Sequence, residues 1–256
     1  MNAKTLIYDG TFDGFLSAVF YAFEYKLYDV FIMNQYSKQE RLFSEKVQIY
    51  TENQKADRVW KGIQAKAGRS QSYKLYYAFL SERIDVESML LDMIRYIFSD
   101  LNNAAKDFSH PSVLQVSKIA KMVGREKHRM EAFVRFRLMK DGIYFANIEP
   151  DFNVLPLISK HFEKRYADQK WLIYDIRRRY GLYYDLENVE TIILDLPEHF
   201  DLTKTDEDYF TKKEFEFQKL WQDYFQSVNI ASRKNMKLHV QHVPKRYWKY
   251  MSEKLV

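Results

Sequence analysis

The chain has 256 residues, of which 46% are hydrophobic and 29% charged, which is enough for one or two globular domains with a full core. It contains no cysteine, which excludes disulfides, zinc–cysteine and iron–sulfur sites and a cysteine nucleophile. No apolar run is long enough for a secretory signal or a membrane span, so we expect a cytoplasmic protein.

The net charge of +5 is distributed unevenly along the chain. Residues 118–140 carry eight basic and two acidic side chains, and residues 229–256 carry seven basic and one acidic side chain. Residues 185–223, by contrast, carry four basic and twelve acidic side chains. Basic segments on either side of an acidic one indicate that some faces bind a polyanion. The alternative is ordinary alternation of charge on a solvated surface.

The N-terminal elements are predicted as a strand over residues 4–8, a glycine-containing turn and a helix with an apolar stripe. Backbone N–H groups gather at the start of such a helix and favour anions. Asp9 and Asp13 lie in this turn, where they are candidate metal ligands, and Asp9 is also a candidate nucleophile of the haloacid dehalogenase kind. That family has a second aspartate where this chain has Thr11, so the alternative is that both carboxylates stabilise the turn and the helix.

Residues 1–128 are predicted to form a mixed, mainly helical first part. Strands are expected over residues 29–34 and 45–51. Apolar residues recur at helical spacing in four further segments, and these stripes predict a core rather than a cofactor site. The four helices are expected over residues 52–66, 72–80, 84–98 and 112–127.

Residues 129–256 are predicted to contain a mostly antiparallel sheet, so that the whole chain is an α+β protein. Residues 133–139 alternate apolar and basic side chains as a half-buried strand does, and Asp141 and Gly142 then indicate a hairpin. The order β-β-α-β-β-β follows from a partner strand over 143–148, a helix that Pro156 opens, and strands over 170–177, 182–186 and 191–196. A helix over 206–226 and a basic, aromatic tail complete this part. The two parts of the chain form either two domains or one compact domain.

Basic and aromatic side chains are expected on the exposed sheet face and in the tail, where guanidinium groups would bind phosphates and rings would stack on bases. The alternatives are a solvated sheet face and a tail that wraps its own domain. The candidate nucleic-acid-binding residues are Arg135, Arg137, Arg165, Arg177, Arg178, Tyr184, Arg233, Lys234, Lys245, Arg246, Tyr247 and Trp248.

Three blocks of the sequence resemble a bacterial family labelled as a probable DNA metabolism protein, which is built on a conserved domain of unknown function. They read YDGTFDGFLSAVF, then RFRLMKDGIYFANIEPDFNVLPLISKHFEKRY with WLIYDIRRRYGLYYD, and finally RKNMKLHVQHVPKRYWKYMSE. In that family the genes neighbour a putative DNA-modification or repair radical SAM protein, and relatives are fused to a uracil-DNA glycosylase domain. The resemblance implies that such partners carry the chemistry, because this chain contains neither a glycosylase half nor the three-cysteine radical SAM motif.

The leading hypothesis is therefore a DNA-associated accessory protein in repair or modification, acting with a radical SAM or glycosylase partner. The chain contains no self-evident catalytic motif, and neither a metal site nor a cofactor is predicted. An enzyme in its own right is the second hypothesis, and a protein-interaction scaffold is the third. The enzyme hypothesis rests on Asp9, Asp13, Asp151, Asp175 and His161.

Overall fold

A computed structural model of the chain describes residues 3–37, 44–99, 101, 103–194, 209–227 and 240–254. The chain divides into two compact units, Met1–Gly124 and Arg125–Val256. Strands form two separate sheets accompanied by helices, which confirms the predicted α+β class. No helix within these described ranges is long and apolar enough to cross a membrane.

The sheet of the N-terminal unit has three parallel strands in the order β2-β1-β3. The central strand is the most buried, with Leu6 and Tyr8 at most 1% exposed. Because all three strands run in the same direction, their carboxyl ends meet at one edge of the sheet. The bounds are β1 (Lys4–Tyr8), β2 (Val30–Asn34) and β3 (Glu45–Gln48).

Four helices accompany this sheet, and some of their boundaries carry a cap that the sequence shows. Thr11 caps the first helix by accepting a hydrogen bond from the Gly14 N–H at 3.0 Å. Gly68, with a φ of 77°, separates the second helix from the third. The bounds are α1 (Phe12–Glu24), α2 (Asn53–Ala67), α3 (Arg69–Phe79) and α4 (Val86–Phe98).

The fifth helix, α5 (Pro111–Phe133), continues beyond its predicted end at residue 127. Gly124 does not interrupt it; a Cβ at that position would lie 3.7 Å from the Tyr77 ring. Lys127 and Glu131 form an i,i+4 ion pair in the last turns, which stabilises the extension. The strand predicted over residues 133–139 is correspondingly reduced to β4 (Arg137–Leu138).

The sheet of the C-terminal unit has the predicted β-β-α-β-β-β order and pairs its strands as β4-β5-β6-β7-β8. The β4–β5 connection is the expected hairpin, in which Gly142 adopts a φ of 83° and Asp141 accepts a hydrogen bond from Ile143 N–H. Helix α6 (Leu155–Arg165) makes a crossover, so that β5 and β6 are parallel while the other pairs are antiparallel. The strand bounds are β5 (Tyr144–Ile148), β6 (Trp171–Asp175), β7 (Tyr180–Tyr184) and β8 (Val189–Ile192).

Helix α7 (Lys212–Ser227) follows the sheet; it begins six residues later and ends one residue later than the predicted helix over residues 206–226. The end of the chain forms two short 3₁₀ helices, Lys245–Tyr250 and Ser252–Lys254. We call Lys245–Tyr250 the tail helix.

Candidate nucleic-acid interface

A short turn with three consecutive arginines joins β6 to β7. Asp175 ends β6 and is fully buried. Its Oδ1 accepts hydrogen bonds from the backbone N–H groups of Arg177 (2.9 Å) and Arg178 (3.1 Å), and its Oδ2 accepts one from Arg178 Nη1 (2.9 Å). The carboxylate therefore fixes both the backbone of this arginine turn and the side chain at its centre.

The guanidinium of Arg178 points into the unit, because its side chain is only 9% exposed. It also donates to the carbonyl oxygens of Pro150 (3.1 Å) and Asp151 (3.2 Å), which follow β5. Burial raises the pKa of Asp175, and the charge and hydrogen bonds of Arg178 oppose that rise. The expectation that Arg178 lies on an exposed face is wrong, since its guanidinium joins two neighbouring loops.

Arg177 and Arg179 flank Arg178 in the turn and are exposed. Arg177 reaches the carbonyl oxygen of Asp151 at 3.3 Å, and Arg179 adopts a left-handed φ of 57°. A side chain in that conformation costs about 1–2 kcal/mol relative to the right-handed region. In the part of the chain that the structure describes, neither guanidinium forms an ion pair, although the charge of Arg177 helps to lower the pKa of Glu149.

The tail helix lies against the segment that follows β5. Arg246 donates to the carboxylate of Asp151 at 2.6 Å, and the buried phenol of Tyr247 donates to Glu126 of α5. Glu126 is 1% exposed and also accepts the backbone N–H of Asp151 at 3.0 Å. Tyr247 therefore packs into its own domain, as the alternative prediction for the tail expected. The side chain of Arg246, by contrast, remains 46% exposed.

Glu149 holds the end of the tail helix. It accepts hydrogen bonds from Lys249 Nζ (2.6 Å) and from the Tyr250 hydroxyl (2.5 Å). These two donors lower the pKa of Glu149 below its ordinary value. The same contact with Glu149 raises the pKa of Lys249 to about 12.

Three other predicted contact residues are engaged inside the unit. Arg135 pairs with Glu253 at 2.8 Å. Arg137 is 9% exposed, donates to Asn147 Oδ1 at 2.7 Å and lies 4.7 Å from the centroid of the Phe210 ring. Tyr184 is 5% exposed and donates its hydroxyl to a carbonyl oxygen at 2.8 Å. The sequence prediction that Arg137 and Tyr184 face solvent is wrong, because both side chains are buried and donate hydrogen bonds to acceptors inside the unit.

The remaining predicted residues are more accessible. Arg165 ends α6, is exposed, and lies 5.8 Å from the Tyr166 ring centroid. Lys245 is exposed, 5.9 Å from the centroid of the half-buried Trp248 ring. Contact of these residues with nucleic acid stays a prediction. Arg233 and Lys234 lie outside the described residues.

The candidate catalytic residues of the C-terminal unit each pair with a different side chain. His161 lies 3.8 Å from Glu131 of α5, whereas Asp151 pairs with Arg246 and Asp175 pairs with Arg178. The expected pairing of His161 with an aspartate is therefore not formed. Within the described residues, no group of three or more histidine, aspartate or glutamate side chains is arranged to hold a metal ion.

In the N-terminal unit, Asp9 lies at the carboxyl edge of the parallel sheet. Its Oδ1 accepts the backbone N–H (2.9 Å) and hydroxyl (2.7 Å) of Thr11, and its Oδ2 accepts the Thr51 hydroxyl (2.7 Å). Burial acts to raise the pKa of Asp9, but the hydrogen bonds from Thr51 and Thr11 outweigh it and lower that pKa. Asp13 is exposed in the first turn of α1. This geometry is that of a carboxylate that fixes a turn.

A protein-family model described as a domain of unknown function, DUF4130, matches residues 84–253, about two thirds of the chain. The chain belongs to the DUF4130 family. The arginine turn, the tail helix, Glu126 and Glu149 all lie within the DUF4130 match, while Asp9 precedes it.

No curated protein matches the chain. Among solved structures, a pGpG-specific phosphodiesterase, PggH from Vibrio cholrae, is similar at 9% sequence identity and a TM-score of 0.34, over 72% of this chain and 81% of that one. A structural similarity this weak indicates nothing about the function of the DUF4130 region.

Sequence reasoning missed one residue of the DUF4130 region that shapes the interface. Glu126 occupies an inward position of α5 between the buried Val123 and Met130, and this acid on an apolar face was the available signal. Arg179 and Lys249 belong to the basic clusters that the sequence patterns identified. They were not among the candidate binding residues, because no sequence signal separates outward from inward basic side chains within one short segment.

Proposed function

We propose that the DUF4130 region binds DNA through its phosphate backbone, and that the arginine turn is the centre of the interface. The observation that carries the proposal is that Arg177 and Arg179 are exposed without an ion pair in the described residues, on a turn that the buried Asp175–Arg178 pair holds in place. The protein would then be a DNA-associated accessory factor.

Guanidinium groups suit this role because each offers a planar fork of donors to phosphate oxygens. A turn whose backbone is fixed by buried hydrogen bonds loses less conformational entropy on binding than a mobile loop does. Here Asp175 fixes the turn through two backbone hydrogen bonds. The turn is therefore already arranged before DNA arrives.

The tail helix supports the same proposal from a second element of the unit. Its exposed Lys245 and Arg246 accompany the half-buried ring of Trp248. Basic side chains next to a half-buried indole suit phosphate contact together with stacking on an unpaired base. Because Arg246 already pairs with Asp151, DNA would have to compete with that carboxylate for it.

The proposal that this protein acts with a radical SAM or glycosylase partner rests on the family resemblance of the three sequence blocks. In that arrangement this protein would hold DNA and the partner would carry out the chemistry on the base.

The test is fluorescence anisotropy of labelled single-stranded and duplex DNA over a salt series. The double variant Arg177→Gln/Arg179→Gln should weaken binding by about tenfold at about 50 mM salt. Because each lost contact with duplex DNA removes about 0.9 from the slope of log affinity against log salt, the slope should become shallower by about 1.8.

The matched control is Arg69→Gln/Arg83→Gln, which removes the same charge from two exposed arginines of the N-terminal unit. This control should leave both the affinity and the salt slope unchanged. Equal losses in the two double variants would mean that only net charge matters and would refute the assignment of the turn. Absence of binding by the unmodified protein at about 50 mM salt, where phosphate contacts are strongest, would refute direct DNA contact altogether.

A further inference from the structure

The N-terminal unit has a pocket between α1, α2 and the end of α4. Its volume is about 640 Å³, within the range of roughly 300–1,000 Å³ that is usual for small-molecule sites. Apolar side chains make up most of its wall. The lining residues are Val19, Phe20, Phe23, Glu24, Arg58, Val59, Gly62 and Phe98.

Aromatic rings form the inner surface of the pocket. Phe23 and Phe98 meet edge to face with ring centroids 5.6 Å apart, and Phe23 remains 42% exposed. Gly62 allows the Phe98 ring to approach α2, since a Cβ there would lie 3.0 Å from that ring. An accessible aromatic surface of this kind favours a flat ring system over a purely aliphatic chain.

Three cations lie over two of the rings that line the pocket, Phe20 and Phe98. Lys55 Nζ and the Arg58 guanidinium lie 5.4 and 5.7 Å from the Phe20 ring centroid, and Lys66 Nζ lies 5.8 Å from that of Phe98. Lys55 already pairs with Glu52 at 2.8 Å. Arg58, by contrast, has no ion pair within the described part of the chain, although it lines the pocket.

We propose that this pocket binds a small aromatic anion: a ring system that packs against Phe20, Phe23 and Phe98 and carries one carboxylate, phosphate or sulfonate group that Arg58 binds. Arg58 is exposed at the pocket, and its guanidinium offers a bidentate donor pair beside an apolar wall. Glu24 lines the same pocket and would repel a second negative charge on the ligand. The pocket belongs to the N-terminal unit, and its proposal does not depend on DNA binding.

Two fluorescent probes that share one ring body test the proposal: the anion 8-anilino-1-naphthalenesulfonate and the neutral N-phenyl-1-naphthylamine. The anion should bind saturably and raise the melting temperature, as a ligand of the folded state does. In Arg58→Gln its affinity should fall by about tenfold, since a charge-assisted hydrogen bond is lost. The affinity of the neutral probe should stay within about twofold, because that probe makes no such bond.

Lys61→Gln is the control, because Lys61 is an exposed cation of the same helix that does not line the pocket. It should leave the affinity for both probes unchanged. Phe23→Ala, at a partly exposed ring, should weaken both probes together. The proposal is overturned if the folded protein shows no saturable emission, if the anion lowers the melting temperature, or if Arg58→Gln and Lys61→Gln weaken the anion equally.

Discussion

The hydroxyl of Tyr247 donates a hydrogen bond to the carboxylate of Glu126, across 121 positions of the chain. Both side chains are at most 2% exposed. Burial and the neighbouring Glu126 raise the pKa of Tyr247, so the phenol stays protonated and keeps its proton for this bond. The contact fixes the tail helix to α5 and so determines where Arg246 and Trp248 are presented.

Tyr247→Phe should therefore destabilise the protein by about 1–3 kcal/mol, because a buried carboxylate loses one of its donors. Urea unfolding measures the difference. Tyr144→Phe is a suitable control, since that half-buried hydroxyl has no hydrogen-bond partner among the described residues. A change of similar size in both variants would show that the Glu126 contact contributes nothing specific.

Asp175→Asn should cost about 3–5 kcal/mol, because it leaves the buried guanidinium of Arg178 without its counter-ion. Arg178→Met in the Asp175→Asn background should cost much less than Arg178→Met alone, and a double-mutant cycle on unfolding free energies measures that coupling. Arg177→Gln, an exposed neighbour in the same turn, should remain within about 0.5 kcal/mol of the unmodified protein. Additive effects of the two buried substitutions would contradict a coupled pair.

Much of the fold was predictable, because the spacing of hydrophobic residues and the identity of turn residues determine local structure. The Asp141-Gly142 hairpin and the Thr11-capped helix depend only on neighbours in the chain. The end of α5 was not predictable, since alternation over residues 133–139 resembles a strand even though the helix continues to Phe133. Tertiary packing overrides such short patterns.

The candidate interface could be predicted in composition but not in detail. Sequence patterns identified the arginine turn and the basic tail, yet they did not separate Arg178, which is 9% exposed, from the exposed Arg177 and Arg179. The distinction depends on acceptors that neighbouring segments supply, namely Asp175 and the carbonyl oxygens of residues 150 and 151. A guanidinium is buried only where such acceptors satisfy its donors.

Gly14→Ala should be strongly destabilising, although alanine is the better helix former. The added Cβ would overlap Asp9 Oδ1 and lie 2.8 Å from Thr51 Oγ1, and we expect a loss of about 1–3 kcal/mol for such overpacking. Gly124→Ala is the matched control in α5, where the Cβ would make an ordinary 3.7 Å contact with Tyr77. That variant should gain up to about 1 kcal/mol. Thermal unfolding of both variants measures the contrast, and a stabilised Gly14→Ala protein would contradict the packed Asp9 turn.

The contact between the tail helix and Glu149 should weaken in acid. Because Lys249 and Tyr250 lower the pKa of Glu149 from its ordinary 4.5, the folded state holds fewer protons than the unfolded state near that pH. The stabilisation is therefore complete above about pH 4.5 and is lost as the pH falls through the lower folded-state pKa. Amide hydrogen exchange over residues 245–250 should accelerate in that window, once corrected for the intrinsic rate. Glu149→Gln should show the faster exchange already at neutral pH and lose the pH dependence. Identical profiles for the two proteins would mean that Glu149 does not hold the tail helix in place.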